Sequence, residues 1–269
     1  MKGVGEREVL RLPAGERTTD QVVVEEPLEI RVADETMAVT MRTPGNDREL
    51  TLGFLFAEGV IASAADVGSV AHCGRPDQEG YGNTINVVPG AGVSLDLDKL
   101  AATRRGTLTT SACGVCGRRS VKDVQDRCRP VAPGPIVAFT MIANAINALR
   151  GYQPNFARTG GIHAAALLDE SGEVLAAFED IGRHNAVDKA VGALFLAGKL
   201  SSAAMLAVSG RASFEIIQKA AAAGVPIVAS VSAASTLAID LAKATGITLA
   251  GFVRGGAMTV YTHPERIRE

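Results

Sequence analysis

Hydrophobic and polar positions follow two different periods along the chain. Over residues 6–42 apolar side chains alternate loosely with polar ones, as is typical of strands. After the turn at residues 43–45, leucines recur at mostly helical spacing until Gly59, and Asn46 with Glu49 three residues on predicts a capping box at the start of that helix. Strands near 67–72 and 84–88 and a short helix over 95–103 complete a small α+β region. We predict that this N-terminal region spans residues 1–105.

The second part of the chain, residues 106–269, has a regular pattern. It begins with two predicted helices, one from the paired cysteines to residue 127 and one over 139–149. Two strands follow, over 161–168 and 174–179. Helices are then predicted over 184–197, 213–223 and 235–245, and strands over 203–208, 227–231 and 247–253. This alternation indicates an α/β domain in which helices cover both faces of a mainly parallel sheet. A last strand, over 258–262, follows a glycine turn and is predicted to run antiparallel.

Composition restricts the class of protein. A 47% share of hydrophobic residues with 21% charged residues is that of an ordinary globular chain, and the net charge of −2 gives no reason to expect nucleic-acid binding. The longest uncharged run, over residues 220–239, reaches membrane-spanning length, but Gly224, Pro226 and several serines interrupt it. We therefore expect buried helix and strand rather than a membrane span. The N-terminus is polar, and four cysteines in 269 residues do not make a disulfide framework, so a cytoplasmic protein is expected.

The most distinctive stretch holds Cys113 and Cys116, separated by two residues and flanked by glycines. Two thiols at this spacing form a metal clip, a redox pair or a reactive sulfur site. A start of a helix at this point would favour the thiolate, since the unpaired N–H groups there stabilise negative charge. Residues 104–129 also carry seven lysines and arginines against two aspartates, a local net charge of +5. This excess favours a nucleophilic thiolate or an anionic ligand.

A zinc site is the main alternative for the two cysteines. A structural zinc needs four ligands, usually from two such pairs, and the sequence has one pair only. A catalytic zinc needs three, so Cys113, Cys116 and a histidine such as His163 would suffice. Zinc deaminases, however, place a His-x-Glu sequence before the cysteines, whereas His163 follows them and precedes two alanines. We therefore predict no metal, with a deaminase-like hydrolase as the alternative function.

Polar residues also gather where strands of the α/β domain end. In a parallel sheet such loops are where ligands bind, and glycines in them let a backbone approach a phosphate. The first such loop holds Arg183 and His184, and His163 opens a strand. The other two candidate loops are Ser209-Gly210-Arg211 and the segment Phe252-Val253-Arg254-Gly255-Gly256-Ala257. An N-cap role for Ser213 and a plain hairpin turn at residues 254–257 are the simpler interpretations.

Taken in order, these motifs resemble the FdhD family of formate dehydrogenase accessory sulfurtransferases. The resemblance covers nearly the whole chain from about residue 17. Its motifs are Thr43-Pro44-Gly45, Ser111-Ala112-Cys113-Gly114-Val115-Cys116-Gly117, Thr159-Gly160-Gly161-Ile162-His163, the run from Glu179 to Lys189, the run from Ser209 to Glu215, and Val260-Tyr261-Thr262.

The resemblance implies a function. Members of that family accept persulfide sulfur from a cysteine desulfurase and pass it to the molybdenum (or tungsten) bis-molybdopterin guanine dinucleotide cofactor of formate dehydrogenase. By resemblance, Cys113 would carry the persulfide, with Cys116 as its partner. Residues 252–257 would bind the cofactor, and GDP would be an analogue of that ligand. A cytidine-deaminase-like three-layer α/β/α fold and a homodimer are implied in the same way. A chaperone that binds the cofactor without sulfur chemistry is a further alternative.

Overall fold

The computed structural model describes residues 3–75, 77, 81–96 and 128–268. The predicted helices over 95–103 and from the cysteine pair to residue 127 fall wholly or largely outside these residues. The predicted domain boundary at residue 105 lies outside them as well, and the two-domain division stays a prediction.

The described residues form fourteen strands and six α-helices. The strands are β1 (Val4–Arg11), β2 (Glu16–Val23), β3 (Glu26–Val32), β4 (Glu35–Arg42), β5 (Val67–His72), β6 (Thr84–Pro89), β7 (Val137–Ala138), β8 (His163–Leu168), β9 (Val174–Asp180), β10 (Met205–Val208), β11 (Ile227–Ser230), β12 (Thr248–Arg254), β13 (Ala257–Thr262) and β14 (Ile267–Arg268). The helices are α1 (Asp47–Ala57), α2 (Phe139–Gly151), α3 (Pro154–Thr159), α4 (Arg183–Leu196), α5 (Phe214–Ala222) and α6 (Thr236–Thr245).

A six-stranded sheet in the order β13-β12-β11-β10-β8-β9 organises the second part of the chain. Strands β10, β11 and β12 are parallel, and the connections between them are α5 and α6. Strand β13 is antiparallel to β12, as predicted, but β8 is antiparallel to both β10 and β9. The α/β class is confirmed, whereas the prediction of a mainly parallel sheet is wrong. A tight turn joins β8 directly to β9, and a connection this short requires antiparallel neighbours.

Helices cover both faces of this sheet. Helices α4, α5 and α6 pack on one face, where Val187, Ile216 and Leu241 are buried against sheet residues such as Leu206. Helix α2 packs on the other face through residues such as Ile142 and Leu149. Alanines at many of the buried strand positions leave room for helices to lie close to the sheet. The α/β/α layering matches the prediction.

The N-terminal part forms a four-stranded sheet in the order β4-β3-β6-β5 with α1 packed on it. Strands β1 and β2 form a separate antiparallel hairpin. The predicted capping box at the start of α1 is wrong. Asn46 is the N-cap residue, but its φ of 57° places it in the left-handed region, and its side chain makes no capping hydrogen bond. Asparagine tolerates this conformation better than most residues, so its contribution here is backbone geometry.

Helix α1 crosses α4 at very short range. A Cβ atom added at Gly53 would lie 1.9 Å from the carbonyl oxygen of Asp188, and one added at Gly192 would lie 1.9 Å from that of Glu49. Only glycine fits at both positions, because real Cβ contacts never become this short. The contact joins the N-terminal part to the helix that follows the Arg183 loop.

The long uncharged run over residues 220–239 folds as predicted. It contains the end of α5, the buried strand β11 and the start of α6. Among the residues that the structure describes, no helix is both long and apolar enough to cross a bilayer.

Candidate functional site

Because the strands of the six-stranded sheet run in both directions, the ends of five chain segments meet along one edge of the sheet, at the ends of its strands. Strands β10 and β11 end at this edge, as do β9 and, further along, β12. Strand β8 runs the other way and therefore begins there, with His163 paired to Asp180. Most of the loops that the sequence singled out thus meet on one side of the molecule. We call this side the ligand edge.

His163 lies on the ligand edge beside Gly210 and Arg183. A Cβ atom added at Gly210 would be 3.2 Å from Nδ1 of His163 and 3.6 Å from Cδ of Arg183. Glycine is therefore what permits the backbone of this loop to approach the imidazole. Burial lowers the pKa of His163, and the positive charge of Arg183 lowers it further. An anion bound next to the ring would oppose this shift of the pKa.

His184 occupies the next position, on the first turn of α4, and is largely buried. Its Nε2 atom is 2.6 Å from Oε2 of Glu215 and 3.1 Å from Oγ of Ser213. Burial lowers the pKa of His184, while the hydrogen bond and charge of Glu215 oppose that shift. Ser213 is the N-cap residue of α5, as expected, but its side chain makes no capping hydrogen bond and instead contacts His184.

The loop after β10 supplies Ser209 and Arg211. The hydroxyl oxygen of Ser209 accepts a hydrogen bond of 2.9 Å from the amide of Ala164, and this bond fastens the loop to the start of β8. The side chain of Arg211 is exposed and adds positive charge near His163. Ser209 therefore helps to build the ligand edge, whereas Arg211 is available to a ligand.

The segment 252–257 is the hairpin that joins β12 to β13. Arg254 pairs with Ala257, and both intervening glycines have positive φ values of 58° and 76°, so the hairpin interpretation of this turn is correct. Val253 is fully buried in the core, so its side chain is closed to a ligand. Arg254 is exposed, and Phe252 has a φ of 52° and a side chain that is 40% exposed. A phenylalanine rarely adopts positive φ, and such conformations concentrate at functional positions.

The hairpin lies some way from His163 along the ligand edge. Three strand spacings separate β12 from β8 in the sheet order, which corresponds to about 15 Å. An extended ligand with charged groups at several points would span this distance.

The two cysteines that sequence analysis placed first, Cys113 and Cys116, lie outside the described residues. Their position relative to the ligand edge is not part of the structure, and their roles stay predictions. Among the described residues, no three histidine, cysteine or acidic side chains gather closely enough to hold a metal ion. The zinc alternative depends on Cys113 and Cys116, so this observation leaves it untested.

Several contacts between polar residues at and behind the ligand edge escaped prediction. Glu215, which contacts His184, occurs in a motif of the resemblance but was given no role. Asp180 and Lys189 form a buried ion pair of 2.7 Å behind the Arg183 loop. Both lie in one sequence motif nine residues apart, but the sequence alone gives no distance between a strand end and the second turn of a helix. The available signal was an aspartate and a lysine in one motif, because such residues are rarely buried unless they pair with each other.

Comparison with known proteins supports a single family. The chain matches the FdhD/NarQ family over residues 23–268. It is 54% identical over 271 residues to a protein of Anaeromyxobacter dehalogenans named sulfur carrier protein FdhD, covering 98% of this chain and 93% of that one. Proteins of the same name from Mycobacterium tuberculosis and Streptomyces coelicolor are 49% and 47% identical, each over 97% of this chain and over 97% and 94% of their own lengths.

A solved structure gives the same answer. The crystal structure of a candidate formate dehydrogenase accessory protein from Desulfotalea psychrophila superimposes with a TM-score of 0.75. The sequence identity is 26%, and 98% of each chain is covered. The fold, the ordered motifs and the sequence identity over nearly the whole chain all indicate the same family. The chain belongs to the FdhD/NarQ family.

Proposed function

We propose that this protein is a sulfurtransferase that accepts persulfide sulfur at Cys113 and delivers it to a molybdenum (or tungsten) bis-molybdopterin guanine dinucleotide cofactor for formate dehydrogenase. The observation that carries the proposal is the identity of 54% over nearly the whole chain with a protein named as a sulfur carrier. The cationic ligand edge adds support, because a guanine dinucleotide cofactor carries phosphates. The proposal includes a cysteine desulfurase as donor and a cytoplasmic homodimer.

The sulfur steps are thiol–disulfide chemistry. The thiolate of Cys113 attacks the outer sulfur of the donor's persulfide, the S–S bond of the donor breaks, and the donor cysteine leaves as a thiolate. Release of that sulfur as sulfide requires two electrons. Attack by the Cys116 thiol on the inner sulfur of Cys113 would supply them and leave a disulfide between the two cysteines. A cellular dithiol reductant would then restore both thiols.

The ligand edge would bind the nucleotide arms of the cofactor. Guanidinium groups bind phosphate through paired hydrogen bonds, and Arg211 and Arg254 are exposed at separate points of this edge. Next to Arg183, His163 would gain a proton when phosphate approaches. These residues hold and orient the cofactor, while the thiol chemistry resides on Cys113.

Mass spectrometry tests the sulfur carrier role directly. After incubation with a cysteine desulfurase and cysteine, the purified protein should gain the mass of one sulfur atom on the peptide that contains Cys113. The adduct should disappear on reduction and should not form in Cys113→Ala. Cys73→Ala is the matched control and should still carry the adduct. An unmodified Cys113 in the wild type would reject the proposal.

The same variants separate the alternatives. A chaperone without sulfur chemistry predicts that Cys113→Ala still supports an active formate dehydrogenase, whereas the sulfurtransferase predicts a loss of activity. Stoichiometric zinc in the purified protein would favour the deaminase-like hydrolase, and metal analysis measures it. Sedimentation equilibrium measures whether the protein is a homodimer.

Calorimetry with GDP tests the nucleotide site. We expect Arg211→Ala and Arg254→Ala each to raise the Kd of GDP by about tenfold, because one charged hydrogen-bonding partner is lost. Arg268→Ala is the matched control. Arg268 is exposed on β14, and the preceding turn contacts the opposite edge of the sheet through a hydrogen bond from Arg266 to the carbonyl oxygen of Gly246.

A further inference from the structure

The loop that carries Arg183 is fastened to the N-terminal part of the chain by a set of buried polar residues. We call the set of Thr43, Asp180, Asn185 and Lys189 the Asp180 clamp. At least 95% of the surface of each of these residues is buried. Three of them lie in the Glu179–Lys189 motif, and Thr43 lies at the end of β4.

Asp180 is the centre of the clamp. Its Oδ2 atom accepts a hydrogen bond of 3.2 Å from the amide of Thr43 and lies 2.7 Å from Nζ of Lys189. Its Oδ1 atom accepts hydrogen bonds of 2.8 Å from the amide of Gly182 and 3.0 Å from Nδ2 of Asn185. Both carboxylate oxygens therefore have two donors, and one of those four donors comes from the N-terminal part.

Lys189 is satisfied in the same way. Beyond the ion pair with Asp180, its ammonium group donates 3.0 Å to the carbonyl oxygen of Thr43 and 3.3 Å to that of Glu179. Three acceptors for three N–H groups leave no proton of this buried cation without a partner. A buried charge pair with complete hydrogen bonding specifies one geometry, because any displacement leaves a charge unsatisfied.

Thr43 connects the clamp to the loop through three separate atoms. Its amide and carbonyl contact Asp180 and Lys189, and its hydroxyl oxygen accepts a hydrogen bond of 3.1 Å from the amide of Ile181. Asn185 adds a fourth link, since its Nδ2 atom donates 2.8 Å to the carbonyl oxygen of Met41. The backbone of the loop therefore follows the end of β4.

Gly182 shows how tightly the loop is fitted. A Cβ atom added there would lie 2.8 Å from Nδ2 of Asn185, so no larger residue enters without moving the clamp. Arg183 follows directly and contributes to the environment of His163. The geometry of the ligand edge at this point is thus fixed by residues that are themselves buried away from it.

We propose that Thr43, Asp180 and Lys189 are positioning residues, which hold the Ile181-Gly182 turn and the first turn of α4 so that Arg183 and His163 meet a phosphate group together. This inference rests on the proposed function for its ligand, the guanine nucleotide. It adds that the N-terminal part, through β4, determines the shape of a site built on the other sheet.

Thr43→Val is the sharpest test, because it removes the acceptor for the Ile181 amide while it keeps the shape and the backbone contacts of Thr43. We expect the exchange of the Ile181 amide with deuterated water, measured by NMR, to become at least about fivefold faster. We expect the Kd of GDP to rise by about fivefold for the loss of one buried hydrogen bond. Thr43→Ser keeps the hydroxyl group and should restore both values.

The matched control is Thr245→Val. Thr245 is equally buried, but its hydroxyl donates to the carbonyl oxygen of Leu241 within α6. It should change stability without a change in GDP affinity or in Ile181 exchange. If Thr43→Val does not fold, amide exchange and GDP affinity are measured on the double variant Asp180→Asn with Lys189→Met, which removes both charges together.

The outcomes are distinguishable from a failure of the proposed function. A wild-type protein that does not bind GDP contradicts the proposed nucleotide site, and amide exchange then decides on the clamp by itself. Unchanged Ile181 exchange in Thr43→Val would overturn the clamp. Faster exchange with an unchanged Kd in a protein that binds GDP would overturn the positioning role.

Discussion

At the residue scale, the ligand edge depends on a few close contacts that small residues permit. Gly210 lies against the imidazole of His163, and Gly182 lies against Asn185. Neither residue has a positive φ, so glycine matters at both positions for the space it leaves and not for its backbone conformation. The sequence showed glycines in loops, but it could not show which side chain each one approaches.

Gly210→Ala should weaken ligand binding with little effect on stability. The added methyl group would lie 3.2 Å from Nδ1 and 3.4 Å from Cε1 of His163, so the ring must shift by a few tenths of an ångström. We expect the Kd of GDP to rise by about fivefold, as measured by calorimetry. Gly151→Ala, where nothing lies within 4 Å, is the control and should leave the Kd unchanged.

GDP affinity should increase as the pH falls toward 6. Burial and Arg183 lower the pKa of His163 in the free protein, and a bound phosphate would raise it, so binding takes up a proton. The gain appears as the pH falls through the pKa of the bound state and ends below that of the free state. Calorimetry over a pH series measures it.

A variant isolates the contribution of His163 from that of GDP, whose own phosphate titrates near pH 6. His163→Gln should flatten the pH profile to the part that belongs to the nucleotide. His263→Asn is the control, since His263 contacts the carbonyl oxygen of Lys243 at the opposite edge of the sheet and asparagine tolerates its positive φ. Identical profiles for the wild type and His163→Gln would show that His163 takes up no proton on binding.

At the element scale, the regular elements were predictable and their partners were not. The helices and strands over 203–245 follow periods that the sequence displays directly. The sequence analysis predicts no helix at α3, because a proline a few residues after a predicted helix suggests the end of that helix, whereas Pro154 is the first residue of a new one. The direction of β8 was missed because the alternation of hydrophobic and polar positions is the same whichever way a strand runs in the sheet. Buried pairs between helices, such as Asp188 with Lys219, join residues from elements whose packing the sequence does not state.

Lys219→Met should destabilise the junction of α4 and α5, and more so at high pH. The Nζ atom of Lys219 lies 2.6 Å from Oδ1 of Asp188. Burial raises the pKa of Asp188 to about 6. Because this folded-state pKa exceeds the ordinary 3.8, the stabilisation from protonating Asp188 is present at low pH and is lost as the pH rises through about 6. Without the lysine that pKa rises further, and the loss at pH 7 should be about 3 kcal/mol.

Urea unfolding of Lys219→Met at several pH values measures this effect. The double variant Asp188→Asn with Lys219→Met removes both charges and should recover much of the stability, with a weaker pH dependence. A single variant as stable as the wild type at pH 8 would show that the pair contributes little.

At the scale of the whole molecule, the two sheets are joined by close and buried contacts. Helix α1 lies against α4 at distances that only glycine permits, and the Asp180 clamp fastens β4 to the Arg183 loop. The sequence suggested two regions from a change of pattern near residue 105, and it gave no measure of the contact between them. Family membership, in contrast, was evident from the ordered motifs, because such motifs require no knowledge of packing.

We therefore expect the chain to unfold in one cooperative transition. Separation of the two parts would break the hydrogen bonds that join Thr43 to Asp180 and Lys189 and would expose the apolar contact of Phe56 with Phe195. The calorimetric enthalpy should equal the van't Hoff enthalpy, and fluorescence and circular dichroism should give the same urea midpoint. Two resolved transitions would instead support two independent domains. Gly192→Ala, which forces α1 from α4, should separate the transitions if any variant does.

The reversed direction of β8 has a consequence for the surface beside the ligand edge. Because the chain enters β8 at the ligand edge, the preceding segment with α3 arrives there as well, and its Tyr152 and Phe156 are about half exposed. The side chains of Tyr152 and Phe156 lie outside the buried layers, so they can change while β8 keeps its pairing. Variation there offers a route to new partners that leaves His163 in place.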